Sequence, residues 1–159
     1  MKIIGIDPGY GILGWSVIED SIKLYDYGTI ETPPGMPIDE RLFIIYTELN
    51  SILQKYQPDS AAIEKLFFAK NTNTVMDVMK AIGVVLLLFR IYGVPFREYT
   101  PLQIKQALTG YGRADKKQMQ FVIQKIFNLK ECPKPDDAAD AAAIAACHAL
   151  AGDKLFMRR

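Results

Sequence analysis

Through the first thirty-one residues, apolar side chains come in short runs broken by turn formers, which is the rhythm of β-strands. Lys2 to Asp7, Leu13 to Ile18 and Ile22 to Glu31 read as three strands, separated by Pro-Gly-Tyr-Gly and by the acidic turn Glu19-Asp20. They predict an antiparallel meander. The period then lengthens. Between Pro37 and Gln57 the residues Leu42, Ile45, Tyr46, Leu49, Leu53 and Tyr56 recur at intervals of three and four, the spacing of an amphipathic helix, and Pro58 stops it. Ser60 to Glu64 reads as a short buried strand. Asn71 to Tyr92 reads as a long helix that is apolar nearly all round and so must be covered on several sides. A strand at Pro95 to Thr100, a short helix at Pro101 to Leu108, an amphipathic helix at Ala114 to Phe127 and a last helix from about Asp136 to Leu150 complete the order. This succession predicts an α/β fold, a mixed five-stranded sheet with helices on both faces.

The chain has 159 residues, half of them hydrophobic, and no repeat, linker or low-complexity stretch, so a single domain spanning 1–159 is expected. Its longest apolar run, Ala81 to Phe89, is bounded by Lys80 and Arg90 and falls well short of the ~18 residues of a membrane span. The apolar stretch after Met1 and Lys2 is broken at once by Asp7, Pro8 and Gly9, unlike a signal peptide, and a cytoplasmic location is expected. Cys132 and Cys147 lack CxxC spacing and a histidine cluster, which argues against zinc and for idle thiols. His148, the one histidine, lies within the alanine-rich last helix and reads as a packing residue rather than as a catalytic base.

Charge is divided along the chain. Residues 1–64 carry 4 basic and 10 acidic side chains, net −6, residues 65–130 carry 11 and 3, net +8, and residues 131–159 carry 4 and 5, net −1. The basic middle fits either an ordinary solvated surface or the footprint of a phosphate-backbone binder.

Three acidic motifs carry chemistry. Ile3-Ile4-Gly5-Ile6-Asp7-Pro8-Gly9 places an acid at the end of an apolar strand, where it either starts a turn or faces a site. The phosphate loop of actin-like and sugar-kinase ATPases begins in a similar way, but those folds close a second lobe over the nucleotide and this chain is too short to hold one. Glu64 closes the strand Ala61-Ala62-Ile63 in the same manner; its alternative is an edge pair with Lys65. Pro135-Asp136-Asp137-Ala138-Ala139-Asp140 opens the last helix. One aspartate there is an ordinary cap, but three are excessive. Asp137 and Asp140 share a helix face, and the alanines around them let the helix approach a sheet closely. Asp7, Glu64, Asp137 and Asp140 can then converge. Such a cluster repels itself unless cations fill it, and all-oxygen ligation selects Mg²⁺, with Mn²⁺ as substitute and two ions per site, a device for phosphodiester hydrolysis that needs no histidine.

Taken together, Gly-Ile-Asp-Pro-Gly at 5–9, Ile-Glu-Lys-Leu-Phe-Phe-Ala-Lys-Asn at 63–71, Gln-Ile-Lys-Gln at 103–106 and Asp-Ala-Ala-Asp-Ala at 137–141 closely resemble the RuvC family of bacterial Holliday-junction resolvases, which belongs to the ribonuclease H-like superfamily. The likeness spans nearly the whole chain. It implies a ribonuclease H-like fold, Asp7, Glu64, Asp137 and Asp140 as metal-binding catalytic residues, and a homodimer that nicks opposite strands of a four-way DNA junction in paired, symmetric fashion. It also implies cooperation with the RuvA and RuvB branch-migration proteins. Phe67 occupies the place where the family sets an aromatic that probes unstacked bases at the crossover; its alternative is a hydrophobic staple for the following helix, with Phe68 assigned to the core. Lys105 and Lys116 match family lysines near the scissile phosphate. Lys70, Arg113 and Lys117 join them as candidate DNA contacts, although Lys117 also reads as a solvated helix lysine. Two other readings are a ribonuclease H-like nuclease acting on RNA and an inactive junction-binding module. Val75, Met76, Val78, Met79, Ile82, Val85 and Leu86 spread over more than one side of the long apolar helix and are expected to form the dimer contact.

Overall fold

The computed structural model describes residues 1–19, 23–66 and 72–156, apart from the side chains of 72–73 and 153–156. Five strands, β1 (Lys2–Asp7), β2 (Ile12–Glu19), β3 (Lys23–Glu31), β4 (Ser60–Glu64) and β5 (Phe96–Tyr99), form one sheet in the order β3-β2-β1-β4-β5. The meander is antiparallel, with a register shift at Val17/Ile18, whereas β4 runs parallel to β1, and β5 parallel to β4. This is the mixed α/β sheet that the pattern predicts.

Side chains of a strand point alternately to its two faces, and here the alternation decides where the acids go. Ile4, Ile6, Ala61 and Ile63 join one core with helices α1 (Ile38–Tyr56) and α2 (Thr72–Ile91). Ile3 and Ala62 join the opposite core with α3 (Pro101–Thr109), α4 (Lys116–Ile126) and α5 (Asp136–Phe156). Asp7 has the parity of Ile3 and Gly5, and Glu64 that of Ala62. Both carboxylates therefore belong to the α5 side.

Helix limits follow local chemistry. Within α1, Ile45, Leu49 and Leu53 are buried at four-residue intervals, and the helix ends where Gln57 turns left-handed ahead of Pro58. Thr100 and Gln103 form a capping box at the start of α3, with Pro101 at its first position. Asp115 and Gln118 do the same for α4. That cap starts α4 at Lys116, two residues later than apolar spacing alone predicts.

Under α5 the layers meet backbone to backbone. A Cβ on Gly5 would collide with the Ala141 carbonyl oxygen and stand 2.8 Å from the Ala145 nitrogen, and one on Gly14 would collide with the Asp137 carbonyl. Glycine at these two sheet positions thus lets the sheet backbone meet the helix backbone at Ala141 and at Asp137, in the turn that carries the acids.

Around α2 the expectation needs correction. Ile82 and Val85, two of the residues assigned to the dimer contact, are buried within the fold's own core, and Val75, Val78 and Leu86 are half-buried. Met76, Met79, Leu87 and Ile91 are the large apolar side chains that α2 leaves exposed. Among the described residues no helix is long and apolar enough to cross a membrane.

Candidate active site

In the sheet register Ile6 lies beside Ile63, so the next residue of each strand, Asp7 and Glu64, ends its strand beside the other. Across the sheet Asp7 is paired with Gly14, the residue that gives the first turn of α5 its close approach. That turn carries Asp137 and, three residues on, Asp140. All four predicted carboxylates are thereby brought into one electrostatic neighbourhood.

Their ionisation records it. Asp7 is pushed up to about 8, first by burial, then by the negative charges of Glu64, Asp140 and Asp137, and by a hydrogen bond in which it donates its proton to Glu64. Glu64 is raised by burial and by Asp140, with the bond from Asp7 and the charge of Lys105 acting against the rise. Asp140 is raised by burial, opposed by Lys116, with Asp137 and Asp136 adding to the rise. An aspartic acid that keeps its proton near neutrality because it is buried and three carboxylates surround it is a group lacking a positive partner.

A cleft of about 320 Å³ opens beside the acids, lined by Glu64 and Asp140, by Lys105 from α3 and Lys116 from α4, and on its apolar side by Ile104 and Met119. It joins the carboxylates to two cations. Among the described residues no three acidic, histidine or cysteine side chains are gathered tightly enough to ligate one ion as they stand; Asp7 and Glu64 share a proton instead. The donor set itself, four carboxylates and no nitrogen or sulfur, fits a hard divalent cation, and such a cation would replace the proton.

The remaining candidates fall elsewhere. Arg113 is exposed in the turn between α3 and α4. Lys117 lies on a neighbouring groove with Leu108, Tyr111 and Phe121. Phe67, Phe68 and Lys70 lie outside the described residues. His148 is half-buried, its Nδ1 2.8 Å from the Tyr99 hydroxyl and its Nε2 3.2 Å from Ser60 Oγ. It lies eight residues along α5 from Asp140, about 12 Å at the helical rise, between Tyr99 and Ser60 rather than among the carboxylates. Burial pushes the Cys147 thiol up to about 11, which keeps it inert. The spacing of residues gave no sign of the role of Asp136, whose carboxylate turns to α4: Oδ2 accepts from Lys116 Nζ at 2.6 Å and Oδ1 from Gln120 Nε2 at 3.2 Å.

A mixed sheet whose strand ends and one helix gather four carboxylates, two of them lining a cleft flanked by lysines, defines a nuclease of the ribonuclease H-like class. Residues 3–148 match the family described as Crossover junction endodeoxyribonuclease RuvC. The chain is 48% identical over 158 residues to the crossover junction endodeoxyribonuclease RuvC of Chloroflexus aurantiacus, covering 98% of this chain and 96% of that one. It is 51% identical over 153 residues to that of Thermotoga petrophila, covering 94% and 93%. The structure of T. thermophilus RuvC in complex with Holliday junction substrate superposes with a TM-score of 0.91 at 35% identity, covering 97% of this chain and 96% of that one. The chain belongs to the RuvC family of crossover junction endodeoxyribonucleases. It is thus a hydrolase that acts on DNA and depends on metal.

Proposed function

We propose that this enzyme resolves Holliday junctions by paired, symmetric nicking of opposite strands, with Asp7, Glu64, Asp137 and Asp140 as its catalytic carboxylates. The observation that carries the reading is the convergence of two strand-end acids and two helix acids, which on top of burial holds Asp7 near 8. These four side chains would hold Mg²⁺, or Mn²⁺ in its place, two ions per site, and the ions would supply a polarised phosphodiester and an activated water.

The chain's own residues account for the rest. Lys105 and Lys116, on the walls of the acidic cleft, meet the negative phosphate and offset the repulsion it would feel from the carboxylates. Lys70, Arg113 and Lys117 extend the positive charge to the neighbouring backbone, contacts that give affinity and register rather than sequence choice. Phe67, three residues beyond Glu64, is assigned to the unstacked bases at the crossover. Two copies of the chain supply the two cuts. The exposed stripe of α2 gives them a shared contact, and a two-fold axis matches the symmetry of the four-way junction. The whole activity is assigned to one domain, 1–159, working in the cytoplasm in recombination and repair beside the RuvA and RuvB branch-migration proteins.

The test offers the purified protein a synthetic four-way junction, a linear duplex and an RNA–DNA hybrid, each with Mg²⁺, Mn²⁺, Ca²⁺ or EDTA. Symmetric cleavage of the junction with Mg²⁺ or Mn²⁺, binding without efficient cutting in Ca²⁺, and silence in EDTA are expected. Replacing any of the four acids by its amide should abolish cutting and leave junction binding in Ca²⁺ equal or tighter, because each acid, ionised when metal is bound, sets a negative charge against the phosphates. Preferred cutting of the hybrid, or full activity in EDTA, would overturn the proposal.

A further inference from the structure

Asp136 is the third acid of the α5 first turn, and it does not share the surroundings of the other two. Both of its oxygens are engaged by α4, Oδ2 with Lys116 Nζ and Oδ1 with Gln120 Nε2. Lys116 and Gln120 are four residues apart and so lie on one face of that helix. We propose that Asp136, with Gln120, is a positioning residue that fixes the Lys116 ammonium at the rim of the carboxylate cleft. This inference rests on the reading above that Lys116 meets the scissile phosphate.

Three observations support it. Lys116 is the first residue of α4, where the helix dipole disfavours a cation, so its placement answers to something other than the helix. Lys116 lines the same cleft as Glu64 and Asp140. The side chains of Lys116 and Asp136 are 58% and 56% exposed, a setting in which an ion pair contributes little to stability. What the pair does accomplish is geometric. Lysine is a flexible four-carbon stem with three donors; one donor given to Asp136 limits the wandering of the stem and leaves two for a phosphate oxygen. The bond from Gln120 keeps the Asp136 carboxylate from turning away.

The experiment measures single-turnover cleavage of a four-way junction at saturating enzyme, junction affinity in Ca²⁺, Mn²⁺ affinity by calorimetry, and thermal stability. The variants are Asp136→Ala, Asp136→Asn, Lys116→Met and the double variant Asp136→Ala/Lys116→Met. Asp136→Ala is expected to slow cleavage about ten-fold, the low end of what losing a side chain's orienting partner costs, with junction and Mn²⁺ affinities and melting temperature unchanged. Asp136→Asn, which keeps an oxygen acceptor, should recover part of the rate. In the Lys116→Met background, Asp136→Ala should slow cleavage no further. Additive losses, a loss confined to junction affinity, or a weakened Mn²⁺ isotherm would each overturn the assignment; the last would make Asp136 a ligand instead. If Lys116→Met itself cuts at the wild-type rate, the role of Lys116 fails. A slow Lys116→Met beside a wild-type Asp136→Ala removes the positioning role alone.

Discussion

Asp7 and Glu64 end adjacent parallel strands side by side, and the hydrogen bond between them runs from Asp7 to Glu64. Asp7 therefore binds a proton more tightly in the folded protein than in the unfolded chain. Without metal, the stability this confers is fully present below the unfolded value of about 4 and is lost as pH rises toward about 8. The melting temperature in EDTA should fall through that window. With Mg²⁺ the slope should lessen or reverse, since ligation requires the deprotonated acids and strengthens as they ionise. Asp7→Asn should flatten the EDTA profile and raise stability at pH 8 by about 2 kcal/mol, roughly 4–8 °C for a chain of this size. Melting curves from pH 4 to 9 with and without Mg²⁺ test this. A wild-type EDTA profile that rises with pH would contradict it.

The glycine opposite Asp7 is expected to be sensitive although it carries no reactive group. Gly14→Ala sets a Cβ against the Asp137 carbonyl, and backbone cannot turn aside as a side chain does. Overpacking of this kind costs about 1–3 kcal/mol. Displacement of the turn bearing Asp137 should cost on the order of 100-fold in cleavage. Gly83→Ala, at a site with open space around it, is the control and should leave the fold intact. Single-turnover rates beside melting temperatures separate the two effects; a folded Gly14→Ala enzyme with the wild-type rate would show that the contact does not set the site.

The exposed stripe of α2 should hold the dimer together. Met76, Met79, Leu87 and Ile91 fall within one side of the helix and are 45–60% exposed. Leu87→Glu should give a monomer at micromolar concentration by light scattering, with the fold preserved and paired cuts replaced by single nicks. A Leu87→Glu protein that stays dimeric would move the interface elsewhere.

Much of this architecture could be read from residue order because each signal is local. The alternation Ile3 to Asp7 names a strand, and the interval between Asp137 and Asp140 names one helix face. What could not be read depends on which neighbour each face meets. Parity tells that Asp7 and Ile6 point oppositely, but only the packing of α5 on Gly5 and Gly14 makes the Asp7 side the site. In α2, apolar residues surround the helix, so Ile82 and Val85 inside cannot be told from Met79 and Leu87 outside by periodicity. Asp136 and Asp137 are adjacent acids in one turn, and only the position of α4 gives the first a lysine and the second a place among the carboxylates.

The bare contact between Gly5 and the Ala141 peptide bears on how the molecule deforms. Elsewhere in the fold, layers are separated by long side chains such as Leu49, Leu53 and Phe89, which can change rotamer to absorb a substitution or thermal expansion. Where α5 crosses Gly5 and Gly14 there is no such cushion, because peptide groups already in contact have no rotamer to change. A substitution at either glycine therefore has no side chain to absorb it, and the separation between the strand-end and helix carboxylates is set by backbone meeting backbone. Residues with no reactive group thus act as the gauge that spaces the reactive ones.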